Sequence, residues 1–249
     1  MRRLTALFAL ALGLAWAQGL LVESDLVQAL EVPPGGEAWG VVRLRNAGQT
    51  PLAVSLSLED YREGQGFLPL GEAPRSLGPE GVRLEATRLL LAPGEVWEVG
   101  FQVRAPGNLE GTRYAALLLT PEAVGPAEAG GGGPRVGLQL VQRYAVLVLA
   151  SHGGEARVVF TGARFAEGRL IFEGENQGSR YYYPQARYQV VGAGGVVAEG
   201  ALGSFLFLPG EPKRLLVPLP VLPPGEYLVV LLLDDGVKAY AARTRLSVR

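Results

Sequence analysis

Beyond residue 18, apolar side chains recur in short runs rich in Val, Leu, Tyr and Phe, separated by Gly, Pro and Asn, and hardly anywhere at a 3.6-residue spacing. This pattern predicts strands. In the first half they fall at Leu20 to Leu30, Ala38 to Arg45, Leu52 to Glu59, Val82 to Leu91, Val96 to Arg104, Thr112 to Thr120 and Val136 to Leu149. In the second half they fall at Ala156 to Phe165, Arg169 to Glu175, Arg187 to Val191, Val196 to Leu206, Lys213 to Pro218, Gly225 to Leu233 and Val237 to Val248. About seven turn-spaced strands per half is the signature of an immunoglobulin-like sandwich, so the fold class read from the pattern is all-β, with two tandem sandwiches.

An internal repeat supports two copies of one unit. A strand ends in Asn46-Ala47-Gly48 and again in Asn176-Gln177-Gly178. A Pro-Gly-Glu turn follows at Pro93-Gly94-Glu95 and at Pro209-Gly210-Glu211. Each copy then closes with Gly, Tyr and an apolar strand, at Gly111, Tyr114 and Leu117 to Leu119 and at Gly225, Tyr227 and Leu231 to Leu233. Asn and Gly are expected to supply left-handed turn positions and Pro a fixed φ. Each Tyr stands either at a tyrosine corner, its hydroxyl bonded to the backbone of the preceding turn, or simply in the core. The polar stretch from Ala150 to Glu155 separates the copies, giving sandwiches over 18 to 150 and 151 to 249 joined by a linker too short for free rotation. The first copy is longer, with a Gly- and Pro-rich insertion from Tyr61 to Gly81 and a low-complexity loop from Gly125 to Pro134.

Residues 1 to 17 combine Arg2 and Arg3, an apolar run from Leu4 to Leu14 and Ala15-Trp16-Ala17, the layout of a cleaved secretory signal. The mature chain is expected to start near Gln18 and to be periplasmic or extracellular, with no later run reaching the ~18 apolar residues of a spanning helix. An exported chain of this size often carries disulfides, but cysteine is absent, so burial alone has to hold the fold. With 23 basic against 24 acidic residues and no basic run, nucleic acid is a poor partner.

Catalytic chemistry is short of parts. His152 is the single histidine and falls in the linker, and the absence of cysteine removes thiolate nucleophiles and ligands, so neither catalysis nor a metal or organic cofactor is expected. Asp234-Asp235-Gly236 reads as a hairpin turn, and Glu59 and Asp60 point to opposite faces of one strand, the wrong arrangement for sharing a proton or metal. Gly130 to Gly133 precede neither Lys-Ser/Thr nor a helix, so they form no phosphate cradle.

Two features suit protein binding. Arg180, Tyr181, Tyr182 and Tyr183 place at least one aromatic ring on the surface beside a guanidinium; the alternatives are that Tyr182, or Tyr181 with Tyr183, belongs to the core. The apolar stretch from Val136 to Ala150, the last of the first sandwich, either lies at a sheet edge open to a strand from another chain or is paired within the sandwich.

That long strand running into the second half, together with Leu89 to Glu95 and Leu222-Pro223-Pro224-Gly225-Glu226-Tyr227, resembles the PapD-like periplasmic pilus-assembly chaperones. The resemblance implies two immunoglobulin-like domains and donor-strand complementation, in which alternate apolar residues complete an unfinished subunit whose C-terminal carboxylate is held by an Arg and a Lys in the cleft. Carried onto this chain, the donor positions are Leu138, Leu140, Tyr144, Val146 and Val148, with Arg143 the one candidate anchor. The long strand has no Lys and the first strand no Arg, a departure from the chaperones. The readings in play are a binding or assembly module for protein subunits of the envelope or an appendage, and a structural envelope component without a client.

Overall fold

The computed structural model describes residues 19–122, 142–166 and 169–249. The signal-like segment and the low-complexity loop, with Leu138 and Leu140, lie outside the described residues. Every regular element among those described is a strand, and no described helix is long and apolar enough to cross a membrane.

The first ten strands are β1 (Leu20–Val22), β2 (Val27–Glu31), β3 (Glu37–Asn46), β4 (Leu52–Arg62), β5 (Gly66–Pro69), β6 (Val82–Leu84), β7 (Arg88–Leu91), β8 (Val96–Arg104), β9 (Gly111–Glu122) and β10 (Tyr144–His152). They form two sheets, ordered β1-β3-β8-β6 and β2-β10-β9-β4-β5, with β7 also on β4. Two stretches that read as single strands are each split between the sheets. Leu20 to Leu30 divides into β1 and β2, and Val82 to Leu91 into β6 and β7. Packed sheets stand ~10 Å apart, so a strand that changes sheets must break, and it does so at the polar segments around Ser24 and Glu85. Ser24 accepts the amide of Arg43 through its hydroxyl at 2.7 Å, and Glu85 accepts that of Gly100 at 3.1 Å, anchoring both crossings. Alternate residues of both sheets, among them Val42, Leu44, Phe101, Leu117 and Val148, fill one core.

The remaining strands are β11 (Val158–Ala166), β12 (Arg169–Asn176), β13 (Gln185–Gly192), β14 (Gly195–Ser204), β15 (Pro212–Pro218), β16 (Gly225–Asp234) and β17 (Ala239–Val248). They pair as β11-β12-β15 and β14-β13-β16-β17 around a second core that includes Phe172, Tyr182, Phe207 and Leu231. Among the described residues no sheet mixes strands from the two halves. β10 continues to His152, into the stretch read as linker.

The repeat is a repeat of hydrogen bonds. Asn46 is fully buried and donates from Nδ2 to the carbonyls of Thr50 and Leu91, at 2.8 and 3.0 Å. Its Oδ1 accepts the Gly48 amide at 2.9 Å, and its own carbonyl accepts that of Gly94 at 2.8 Å. Asn176 repeats all four bonds with Arg180, Phe207, Gly178 and Gly210. In each sandwich one Asn therefore ties its loop to the Pro-Gly-Glu turn.

The glycine expectation divides. Gly94 and Gly210 are left-handed at φ 76° and 74°, as a Pro-Gly turn requires. Gly48 and Gly178 are not left-handed; at Gly178 space decides, because a Cβ would lie 2.1 Å from the Glu155 carbonyl. The tyrosines divide too. Tyr227 makes the corner, donating to the Pro223 carbonyl at 2.9 Å. Tyr114 does not, and its buried hydroxyl has no hydrogen-bond partner among the described residues. It stands an odd number of residues before inward-facing Leu117, whereas Tyr227 stands an even number before Leu231, so Tyr114 points out of its sandwich.

Candidate functional site: the edge of β10 and the junction between the sandwiches

β10 lies inside its sheet for most of its length. It pairs antiparallel with β9 from Tyr144 to His152 and parallel with β2 from Leu147 to Ser151. Among the described residues no strand pairs with Tyr144 to Val146 on the β2 side. The Leu147 amide donates to the Leu26 carbonyl at 2.8 Å, so the N–H and C=O of Ala145, two residues earlier, point to that open edge.

The side chains proposed as donors face the other way. Val146 and Val148 are fully buried in the core of the first sandwich, and Tyr144 packs against it while donating to the Leu20 carbonyl at 2.9 Å. Arg143 reaches Thr120 Oγ1 at 3.3 Å and Glu59 at 3.4 Å on the surface. The opposite face of β10 carries Leu147 and Leu149, which join Tyr114, Val27 and Tyr61 in a cluster with Leu206, Leu208 and Tyr181 of the second sandwich.

That cluster is the centre of the junction, and hydrogen bonds surround it. The Thr112 amide donates to the Ser179 carbonyl at 2.8 Å, and Thr112 Oγ1 accepts the Tyr181 amide at 3.0 Å and lies 2.8 Å from Ser151 Oγ. Gly111 and Gly154 permit the approach, since a Cβ on Gly111 would fall 2.1 Å from the Ser179 carbonyl. On one side Arg180 pairs with Glu31 and donates to the Gly153 carbonyl at 3.1 Å. On the other, the β4–β5 hairpin meets the start of β15: Arg62 pairs with Glu211 at 3.2 Å and Lys213 with Glu63 at 2.9 Å. Tyr61 donates to Glu63 at 3.0 Å, and its hydroxyl pKa is pushed up to about 12, by burial first and by that carboxylate next. Burial raises the Tyr114 hydroxyl as well, with the charges of Glu211 and Asp60 adding to it.

The tyrosine run thus serves three settings. Tyr182 is core, Tyr181 is at the junction with the Arg180 guanidinium 5.7 Å from its ring centre, and Tyr183 is exposed. Reading along the sequence missed Thr112, Ser179, Arg62, Glu63, Glu211 and Lys213, because their partners lie up to 150 residues away. The one available signal was that Lys213 is one of two lysines in the chain.

Of the carboxylates singled out from the sequence, Glu59 meets Arg143 and the other three accept backbone amides. Asp60 is fully buried and accepts the amides of Gly71 and Ala73 and the Ser76 hydroxyl, at 2.6 to 2.8 Å, which staples the insertion to β4. Asp234 and Asp235 accept the amides of Gly236, Val237 and Lys238 in the β16–β17 turn. Among the described residues no group of three or more His, Asp or Glu side chains is gathered to hold a metal ion.

Two sandwiches, with the first strand passing from one sheet to the other and its second part parallel to β10, define the PapD-like two-domain architecture. A chain in the CsuC–CsuE chaperone–tip adhesion subunit pre-assembly complex, from the archaic chaperone-usher Csu pili of Acinetobacter baumannii, has this fold. It is 10% identical with a TM-score of 0.51, over 90% of this chain and 97% of that one. The YadV chaperone is 14% identical with a TM-score of 0.48, over 92% and 100% of the two chains. A chain in the complex of Salmonella enterica SafA pilin with the SafB chaperone is 15% identical with a TM-score of 0.46, over 91% and 96%. No protein-family model matches the sequence, and no curated protein matches it significantly. At these identities the likeness is one of fold.

Proposed function

We propose that this chain is an exported, non-catalytic assembly protein that engages protein subunits of the envelope or an appendage by strand addition along β10. Residues 1 to 17 direct export and are removed, and the working molecule is the pair of sandwiches over 18 to 150 and 151 to 249. The observation that carries the proposal is the backbone edge at Tyr144 to Val146, open among the described residues, next to the apolar cluster where the two sandwiches meet. A strand laid there would pair with Ala145 and continue the sheet. Leu138 and Leu140 would extend the paired segment, and Arg143 and exposed Tyr183 would contribute at its margins. Lys213 and Arg62 already hold the chain's own Glu63 and Glu211, so backbone pairing rather than capture of a terminal carboxylate carries the affinity.

The test is a pull-down of exported proteins with the mature chain and with Ala145→Pro. Proline removes the edge N–H, and an edge position tolerates it. One defined partner, captured by the natural chain and reduced at least about tenfold in the variant, with the Ala145 amide becoming protected from hydrogen exchange on binding, is the expected result. Equal capture by both proteins, or capture of nothing, sinks strand addition and leaves a structural envelope component as the reading. Glutamate at Val146 or Val148 is unsuitable as a probe, since it would put a charge in the core.

A further inference from the structure

From Tyr227 to Leu233, β16 is an unbroken apolar run, the pattern of a strand covered on both faces. Its counterpart in the first sandwich is so covered: Tyr114, Ala116 and Leu118, on the outward side of β9, are completely buried, with Tyr114 against Leu208. In β16 the inward Val229, Leu231 and Leu233 are core, but the outward Leu228, Val230 and Leu232 are only half-buried and belong to neither core. They form an apolar column down the middle of the β14-β13-β16-β17 sheet, beside a shallow depression of about 560 Å³.

The two margins of this face differ in charge, and between them Arg187 of β13 pairs with Asp234 of β16 at 3.6 Å. The β14 margin carries Glu199, at the level of Val230 through Gln189. The β17 margin carries Arg243, paired in register with Val230, and Arg245. Among the described residues neither arginine makes an ion pair.

We propose that this face packs on the same face of a second copy of the chain, related by a two-fold axis running along the strands. Such an axis exchanges β14 with β17 and β13 with β16, so Glu199 of each copy meets Arg243 of the other, and the Leu228, Val230 and Leu232 column of each copy lies over β13 of the other, beside its counterpart across the axis. An axis across the strands would instead stack arginine on arginine. Four strands ~4.8 Å apart and about eight residues long offer roughly 500 Å² per copy, the low end of specific interfaces, so the dimer is concentration-dependent.

Sedimentation velocity on the mature chain from about 5 to about 500 µM, a span matched to a micromolar dissociation constant, reads this directly. The expected result is a reversible monomer–dimer equilibrium that Val230→Glu abolishes and that Glu199→Arg or Arg243→Glu weakens by about tenfold or more, each reversal creating two repulsions. The combined Glu199→Arg/Arg243→Glu chain should recover most of the loss, because complementarity is restored with its sign reversed. All three positions are outward, so an unchanged unfolding midpoint certifies folding, and Ala145→Pro should leave the dimer intact, keeping this surface separate from the β10 edge. A chain monomeric throughout, a dimer that survives Val230→Glu, or a double reversal without rescue overturns the proposal.

Discussion

Tyr114 and Tyr182 are both buried, and they differ in what the hydroxyl meets. Tyr182 donates to the carbonyls of Leu233 and Lys238, at 3.2 and 2.7 Å, closing the β16–β17 turn over the core. Tyr114 finds no acceptor among the described residues. Removing a bonded hydroxyl strands its acceptors, whereas removing an unbonded one relieves a desolvated group. Tyr182→Phe should therefore lower stability by about 1–2 kcal/mol, and Tyr114→Phe should leave it unchanged or raise it, as read from urea unfolding midpoints. Neither difference was legible in the sequence, where both are tyrosines in apolar runs. Asn46 and Asn176 were legible as repeated landmarks, although their work is to bind carbonyls far along the chain rather than to adopt a left-handed turn.

Strand positions follow from local alternation, which is why β3, β8, β12, β15 and β16 coincide with their expected ranges to within one residue. Others departed: β5 arose within the insertion where no strand was expected, β4 and β10 ran three residues further, and two stretches became β1 with β2 and β6 with β7, because one apolar run can serve two sheets and the period does not say where it crosses. At the turns, Gly94 and Gly210 are left-handed with open space beside them, while Gly178 has ordinary φ but no room. Alanine at Gly94 or Gly210 should cost about 1–2 kcal/mol through backbone strain. Alanine at Gly178 should cost more, since its Cβ would overlap the Glu155 carbonyl; thermal unfolding of the three variants in parallel ranks them. Equal losses at all three would show that turn conformation, not crowding, governs the Asn-x-Gly loops.

For the molecule as a whole, the junction should make the two sandwiches one cooperative unit. Leu208 is buried there against Tyr114 and Leu149, and ion pairs close both sides. Calorimetry of the mature chain should show a single transition. Leu208→Ala, with a loss of about 2–3 kcal/mol, should separate it into two. Two transitions in the natural chain would mean that the halves are only tethered. The sequence by itself determined the class, the doubling of the unit and most strand positions, because alternation and turn chemistry are properties of neighbouring residues. Tertiary structure alone decided that Val146 and Val148 face the core rather than a client, that Arg180 and Tyr181 join the sandwiches, and that Arg62 and Lys213 stand between them already neutralised. Each of these depends on which face of a strand is covered, and by what, and the covering residues lie too far along the chain for any local pattern to record.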